Sequence, residues 1–468
     1  MTPLPERIAR REFLARNTLG LGALAFGDLV RRDADGGDRR RRDLAPRAKR
    51  VIWLFMAGAP SQFELFEPKP TLQRLHGQTL PPSLSQGKRF AFIDGADAKL
   101  LGTERRFARH GQCGAWMSEL LPHTAGIVDD LCFLRAVRAT QINHGPAKLF
   151  MNTGFGQFGR PSAGAWVLYG LGSEADDLPG FVVLQSGSRG PRGGAPLWGN
   201  GFLSTRLAGT PFRAQGDPVL DLQTPAGVDP TEQADFFSTL GAMNELAAGT
   251  HHDPETEARI AAYELAFRMQ ASTPELVDLR REPQSMRRLY GVADDRPSFA
   301  RNCLLARRLI ERGCRFVQLY HADWDHHGDP SNHIGAPLDA RCREVDRASA
   351  ALVLDLKQRG LLDDTLVIWS GEFGRTPMGE VRQFLGRDHH IEAFTLWMAG
   401  GGVRAGHSHG ETDEIGFGPV QGEVEIHDLH ATMLHLLGFD HTKLTYRFQG
   451  RDHRLTDVHG RVIRDILA

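Results

Sequence analysis

Carboxylates and imidazoles gather at the ends of strand-like runs in the last third of this chain. Cys314-Arg315-Phe316-Val317-Gln318-Leu319-Tyr320 runs into His321-Ala322-Asp323-Trp324-Asp325-His326-His327-Gly328. Thr365-Leu366-Val367-Ile368-Trp369-Ser370 runs into Gly371-Glu372-Phe373-Gly374-Arg375-Thr376. A third cluster, Arg387-Asp388-His389-His390, precedes Phe394-Thr395-Leu396-Trp397-Met398-Ala399. Such side chains are the donors that hard and borderline divalent ions take. In an open α/β sheet, ligands bind beyond the carboxyl ends of the strands. Asp325, His327 and Glu372 are therefore expected to ligate a divalent ion, with zinc, manganese, calcium and magnesium all open. His321, Asp323 and His326 are expected in solvent or behind the ligands. Arg375 is expected either to pin an anionic ester or to pair with Glu372. Lys148 reads either as an anion-binding lysine near a helix N-terminus or as a plain exposed one. Gly400-Gly401-Gly402 follows a strand but lacks the Lys-Ser/Thr of a phosphate-binding P-loop.

The elements that must position these residues are legible from periodicity. Val51–Met56 is a continuous apolar run after a basic stretch, as a buried parallel strand reads. It ends in Ala57-Gly58-Ala59-Pro60, a turn. Residues 114–130 read as a helix, 131–137 as a strand, and Ala147–Met151 as a short helix after the loop Asn143-His144-Gly145-Pro146. Residues 154–255 are rich in Gly and Pro and read as a loop-rich insertion containing a strand at 181–184, where specificity often resides. Helices are expected over 255–275, from Ser298, and over 338–358 up to Gly360. Asp428 is expected to cap a helix that follows it. Apolar strands alternating with helices predict an α/β fold: a mostly parallel central sheet with helices on both faces.

Bulk properties set limits. The chain has 468 residues, 41% of them hydrophobic and 24% charged, with a formal net charge of −1. That balance argues against bulk electrostatic binding of nucleic acid. Fourteen of the 20 histidines follow Tyr320's position, at 321 or later, so imidazole chemistry is concentrated there. The five cysteines form no C-x-x-C pair, and Cys303 and Cys314 read as buried thiols. Arg10-Arg11-Glu12-Phe13-Leu14, followed by a mildly apolar stretch over 17–26, has the pattern of a twin-arginine export signal. That stretch is too short to span a bilayer as a stable helix. The reading is a signal over 1–30, a disordered charged linker over 31–48, and one domain over 49–468. It places the protein in the periplasm or at the cell surface, with no integral membrane segment in the mature chain.

Several segments in order carry a resemblance: Met56-Ala57-Gly58-Ala59-Pro60-Ser61, Ile142-Asn143-His144, Arg160-Pro161-Ser162, Asn302–Arg308, Trp324-Asp325-His326-His327-Gly328, Gly371–Thr376, Gly386-Arg387-Asp388-His389, and Phe448–Asp452 through Leu455–Gly460. On these the chain resembles the DUF1501 family of exported bacterial proteins, an alkaline-phosphatase-like, sulfatase-like group. The resemblance implies two metal ions on an α/β sheet. It implies Glu64 as the carboxylate after the first strand, where the family usually has Asp at positions 64 and 67. It implies Glu372 after a later strand, Asp325 with His327, and His389 as the late histidine. His144-Gly145-Pro146-Ala147-Lys148 with Thr153-Gly154 is similar in spacing to the sulfatase signature, with His144 where Cys or Ser would become the nucleophile. Ordinary sulfatase chemistry needs that Cys or Ser. His144 is left as a metal ligand, a general acid/base, a covalent phosphoryl acceptor or a remnant in a non-catalytic protein. Two functions follow: a metal-dependent hydrolase of a small anionic ester or a sulfated or phosphorylated polymer, or a non-catalytic binding or surface-assembly protein on the same fold.

Overall fold

The computed structural model describes residues 42–468 except 89, 95–97, 214–217, 220–226, 228, 230, 234, 238, 240, 242, 244–253 and 295. The twin-arginine segment and the linker through residue 41 lie outside the described residues. Residues 42–48 are docked onto the body. Leu44 N donates to Gly438 O, and Arg47 N and Ala48 N both donate to Leu436 O, at 3.0, 2.8 and 2.9 Å.

The fold is built on a nine-stranded sheet. Its principal strands are β1 (Arg50–Met56), β2 (Leu131–Arg138), β3 (Phe181–Ser186), β4 (Phe316–His321) and β5 (Thr365–Ser370). The hairpin strands β6 (Gly374–Val381) and β7 (Leu385–His390) follow, then β8 (Phe394–Ala399) and β9 (His407–His409). The hairpin belongs to a separate small sheet, and the main order runs β9-β2-β8-β5-β1-β4-β3 before a last short strand at Thr210–Pro211. β1 pairs in parallel with both β4 and β5, and β3 pairs in parallel with β4. Their alternating side chains enter two cores. Ile52, Leu54, Val317, Leu319, Val367 and Trp369 face one side; Val51, Trp53, Phe55, Phe316, Leu366 and Ile368 face the other. Both faces being buried, the strands read as continuous apolar runs rather than alternating ones. Burying one such Leu or Phe side chain contributes roughly 1.5–3 kcal/mol.

Among the helices of the described residues that cover the faces are α1 (His144–Thr153), α2 (Ala163–Leu171), α3 (Phe299–Glu311), α4 (Ala336–Gln358) and α5 (Ile426–Leu436). α3 and α4 bury Leu304, Leu309, Leu352 and Leu356 in the first core; α1, α2 and α5 bury Met151, Trp166, Val167, Leu429 and Met433 in the second. Ser298 caps α3 through its side chain, and α4 stops before Gly360, whose φ is +68°. α5 begins with a reciprocal capping box in which Glu425 is the cap and Asp428 accepts the Glu425 N–H.

Two expectations need correction. Residues 114–130 are not one helix. Ala115–Ser118 is a strand paired with Phe107–His110, and Pro122 opens a separate short turn of helix. Proline at that position cannot donate the hydrogen bond a continuing helix would need. The 154–255 segment is also less irregular than expected, because the buried helix α2 lies within it.

β8 runs antiparallel to both β5 and β2. β5 ends at the carboxyl edge, the β6–β7 hairpin stands over that edge, and β8 carries the chain back down. This reversed strand explains why Arg387-Asp388-His389, which precedes a strand, still reaches the edge where β1, β4 and β5 end.

Candidate metal centre

His144 is the first residue of α1, delivered to the carboxyl edge by β2. Asp325 and His327 follow β4 through a turn in which Asp323 takes a left-handed φ of +74°. His389 comes from β7, where the hairpin register sets it opposite Arg375. One donor atom from each of His144, Asp325, His327 and His389 can be chosen so that all lie within 4.8 Å of one another. Asp325 Oδ1 is 2.9 Å from His144 Nε2, 2.8 Å from His327 Nε2 and 3.5 Å from His389 Nε2. Donors about 2.0–2.1 Å from a tetrahedral ion stand about 3.3–3.4 Å apart. The separations in the cluster, 2.8 to 3.5 Å, bracket that spacing and lie mostly on its short side.

The far nitrogen of each ring explains which atom faces inward. His144 Nδ1 donates to Glu372 Oε1 at 2.6 Å, His389 Nδ1 donates to Ile142 O at 2.7 Å, and His327 Nδ1 donates to Glu380 Oε1. Carboxylates and carbonyls only accept, so in the neutral rings the proton sits on Nδ1 and the Nε2 lone pair points into the cluster. Fixing an imidazole through its second nitrogen is how metal-ligating histidines are oriented. His327 Nε2 and His389 Nε2 then face each other at 3.0 Å, an arrangement that needs a shared proton or a cation between lone pairs. His144 Nε2 is buried and makes no aligned hydrogen bond despite its proximity to Asp325.

The electrostatics favour a cation. Burial raises the Asp325 carboxyl, but Arg375 and the three histidines outweigh it and hold the group far below the usual carboxylate range. Burial lowers His327, yet Asp325 and Glu380 outweigh that and raise it. Burial pushes His389 down to about 4, so its ring is neutral at pH 7. The residues therefore fit a divalent ion, which Asp325, His327 and His389 would hold, with His144 Nε2 near enough to face it.

The remaining site residues expected from the sequence stand elsewhere. Glu372 is behind the centre: Gly58 N donates to it at 3.0 Å, His144 Nδ1 at 2.6 Å, and Lys148 Nζ lies at 3.2 Å. His144 and Lys148 are one helical turn apart and reach the same carboxylate. Lys148 is buried, not exposed. Glu64 is not brought to the cluster. It is buried and locked to Arg387, whose Nη2 lies 2.8 Å from Glu64 Oε1. Glu67 bonds Thr395 and Thr412.

Arg375 pairs with Asp325 at 2.6 Å rather than with Glu372. Its Nε donates to Ala59 O, and its Nη1 and Nη2 groups are occupied by Arg387 O, His327 Nε2 and Gly58 O. No guanidinium proton is left to grip an ester. Asp388, near the centre, is taken by backbone N–H groups of Ala91, Phe92 and Ile93.

Sequence reasoning missed Glu380 and the Ile142 carbonyl, because each acts through hairpin or loop register rather than a motif. It also missed Arg387 as the partner of Glu64, for which Arg387's place beside Asp388-His389 was the only signal. The five cysteines are free, and Cys303 and Cys314 are buried, as expected.

An α/β protein with a histidine-rich cluster at the carboxyl edge of a mostly parallel sheet is thus defined. The chain belongs to DUF1501, a family described as proteins of unknown function, whose model matches residues 48–467. No curated protein matches it. Among solved structures it is similar to a phosphonate monoester hydrolase from Silicibacter pomeroyi, at 14% identity over 74% of this chain and 71% of that chain, with a TM-score of 0.33. It is also similar to a sulfatase from Pseudoalteromonas sp., at 12% identity over 84% and 68%, TM-score 0.33. A third is the alkaline phosphatase from the Antarctic bacterium TAB5, at 9% identity over 78% and 94%, TM-score 0.28.

Proposed function

We propose that this protein is an exported hydrolase of phosphate or sulfate esters that works with one divalent ion held by Asp325, His327 and His389. The observation that carries the reading is the convergence of three oriented Nε2 lone pairs on Asp325 Oδ1. A nitrogen-rich set favours zinc or a similar borderline ion over magnesium or calcium. When bound, such an ion supplies Lewis-acid polarisation of the ester. One ion fits better than two. Asp388 is consumed by backbone donors, and the Arg375 guanidinium already stands against Asp325 and His327.

The chain's own groups supply the rest. His144, with Nδ1–H fixed by Glu372, accepts a proton at Nε2 as general base. Lys148 keeps Glu372 ionised, and burial of Glu372 is outweighed so that its carboxyl stays down at about 2. Arg375 keeps Asp325 anionic. Export rests on the Arg10-Arg11 pattern. One observation favours the second reading, a non-catalytic metal-binding protein: with His144 as fourth ligand, four protein donors close a tetrahedral shell, the mark of structural rather than catalytic zinc.

The test is metal analysis of the purified protein together with a panel of aryl phosphates and sulfates, on wild type and His144→Ala. The hydrolase reading expects bound ion in both proteins and activity reduced by about 10²-fold or more in the variant, the scale of a positioned acid/base group. A wild type that holds its ion and hydrolyses nothing, with a variant that loses the ion, selects the closed structural site. A protein without metal, whose melting no added ion changes, overturns both.

A further inference from the structure

The loop after β3 reads Gly187-Ser188-Arg189-Gly190-Pro191-Arg192-Gly193-Gly194 and has no part in the chemistry above. A cavity lies between it and the metal centre, walled among others by His144, Lys148, Arg189, Arg192, Asp323 and Asp325. The loop is pinned at this mouth. Gly187 has φ +99°, and a Cβ there would come within 2.9 Å of Ala322 N, so only glycine lets β3 exit directly against the end of β4. Ser188 then closes on Asp323, its N–H donating to Oδ2 and its hydroxyl to Oδ1, both at 2.9 Å. Burial raises the Asp323 carboxyl, but the two Ser188 bonds together with the charges of Arg341 and Arg189 outweigh it and the group is lowered. Arg341 stands 3.7 Å away on the other side. Asp323 thus stays ionised and holds the loop, with its charge flanked by Arg341 and Arg189.

The cations at the centre itself are committed. Lys148 is held by Glu372, and every Arg375 donor group has an acceptor. On the loop the situation differs. The Arg189 side chain is 55% exposed, and it meets Asp323 only as a loose ion pair at 3.8 Å, beyond hydrogen-bond reach, so its guanidinium protons face outward to solvent. Arg192 is exposed as well, and among the described residues neither guanidinium is held by a hydrogen bond. Guanidinium forks match the paired oxygens of tetrahedral oxyanions.

We propose that Arg189 and Arg192 form the anion grip of this site, holding the phosphate or sulfate group of a ligand at the mouth while its reacting atom faces the Asp325 cluster. The proposal rests on the hydrolase reading for its biological meaning, but binding tests it separately from turnover. Inorganic phosphate and, in a parallel arm, inorganic sulfate are titrated calorimetrically at low ionic strength into full-length wild type and Arg189→Gln/Arg192→Gln. Metal content and melting temperature are measured on the same samples.

The expected result is phosphate or sulfate binding by wild type that weakens at least about tenfold in the double variant, with metal content and melting unchanged. The arm with the larger loss names the preferred anion. Arg189→Lys/Arg192→Lys should recover part of the binding, because charge returns without the fork. Wild type that binds neither anion, or a glutamine variant that binds both as tightly, overturns the proposal. If esters are hydrolysed while anion binding is unchanged in the glutamine variant, the grip is wrong and the hydrolase stands. If nothing is hydrolysed while binding falls as expected, the grip stands and the hydrolase reading fails.

Discussion

Replacing Glu372 by Gln tests the layer behind the centre. The carboxylate is fully buried and is shared by Gly58 N–H, His144 Nδ1–H and the Lys148 ammonium. Its low pKa, about 2, records the balance: burial raises it, and Lys148 and His144, then Gly58, more than compensate. Glutamine keeps the shape and one accepting oxygen but removes the charge, leaving Lys148 buried without its counter-ion. Breaking a buried pair from one side costs about 3–5 kcal/mol. Glu372→Gln should therefore lose that much stability in urea unfolding. Adding Lys148→Met should restore most of it, since no buried cation is then left unmatched. The ion should remain in both variants, because Asp325, His327 and His389 are untouched. Any ester hydrolysis should fall by about 10²-fold or more, because His144 loses the negative charge that stabilises its ring once it has taken up a proton. Equal stability of Glu372→Gln and wild type, or a double variant no more stable than the single one, would refute this account of the charge balance.

Two further outcomes follow from buried groups of the structure and a third from the sequence reading. Glu64→Gln should destabilise by about 3–5 kcal/mol by stranding buried Arg387, yet leave metal content unchanged; metal loss without destabilisation would restore Glu64 to the ligand set. His430 is buried and donates Nε2–H to Met151 O at 2.8 Å, and burial, then His427, hold its pKa down to about 3. The unfolded ring titrates near 6.5, so below that pH the unfolded chain binds the extra proton. Stability should fall from about pH 6.5 to about 3 and then level off, and His430→Gln should shift acid unfolding to lower pH; an unmoved midpoint counts against it. Arg10→Lys with Arg11→Lys should retain the protein in the cytoplasm, as cell fractionation would reveal; normal export of that variant removes the twin-arginine reading.

The strands were readable because both sheet faces are buried. Thr365–Ser370 and Phe394–Ala399 match the apolar runs residue for residue. Asp325 and His327 could be placed at the carboxyl edge because they follow a strand, whereas His389 was implied only by the family resemblance. The direction of β8 could not be read, since an apolar run looks alike in either orientation. Glu372 looked like a ligand from its strand-end position. What sets it behind the histidine–aspartate cluster is the Gly58 turn, with φ +119°, where a Cβ would strike Asp325 N at 2.7 Å. That packing brings Gly58 N–H onto the carboxylate. Glu380 was illegible for another reason: only the β6–β7 register, with Glu380 opposite Gly386, carries it toward His327. Arg189 and Arg192 followed a recognised strand, but glycine-rich sequence alone says nothing of what a loop leans against.

The place of β1 in the sheet sets the timetable of biogenesis. Among the described residues it is the earliest strand of the sheet, yet its two neighbours are β4 and β5, and more than half of the chain separates it from either. At about 5–20 residues per second, Val51–Met56 waits tens of seconds for a partner. During that time a run of Val, Ile, Trp, Leu, Phe and Met with both edges open is a ready nucleus for aggregation. The pairing of β1 is therefore of high contact order, and it cannot form until the segment ending at His321 has been made.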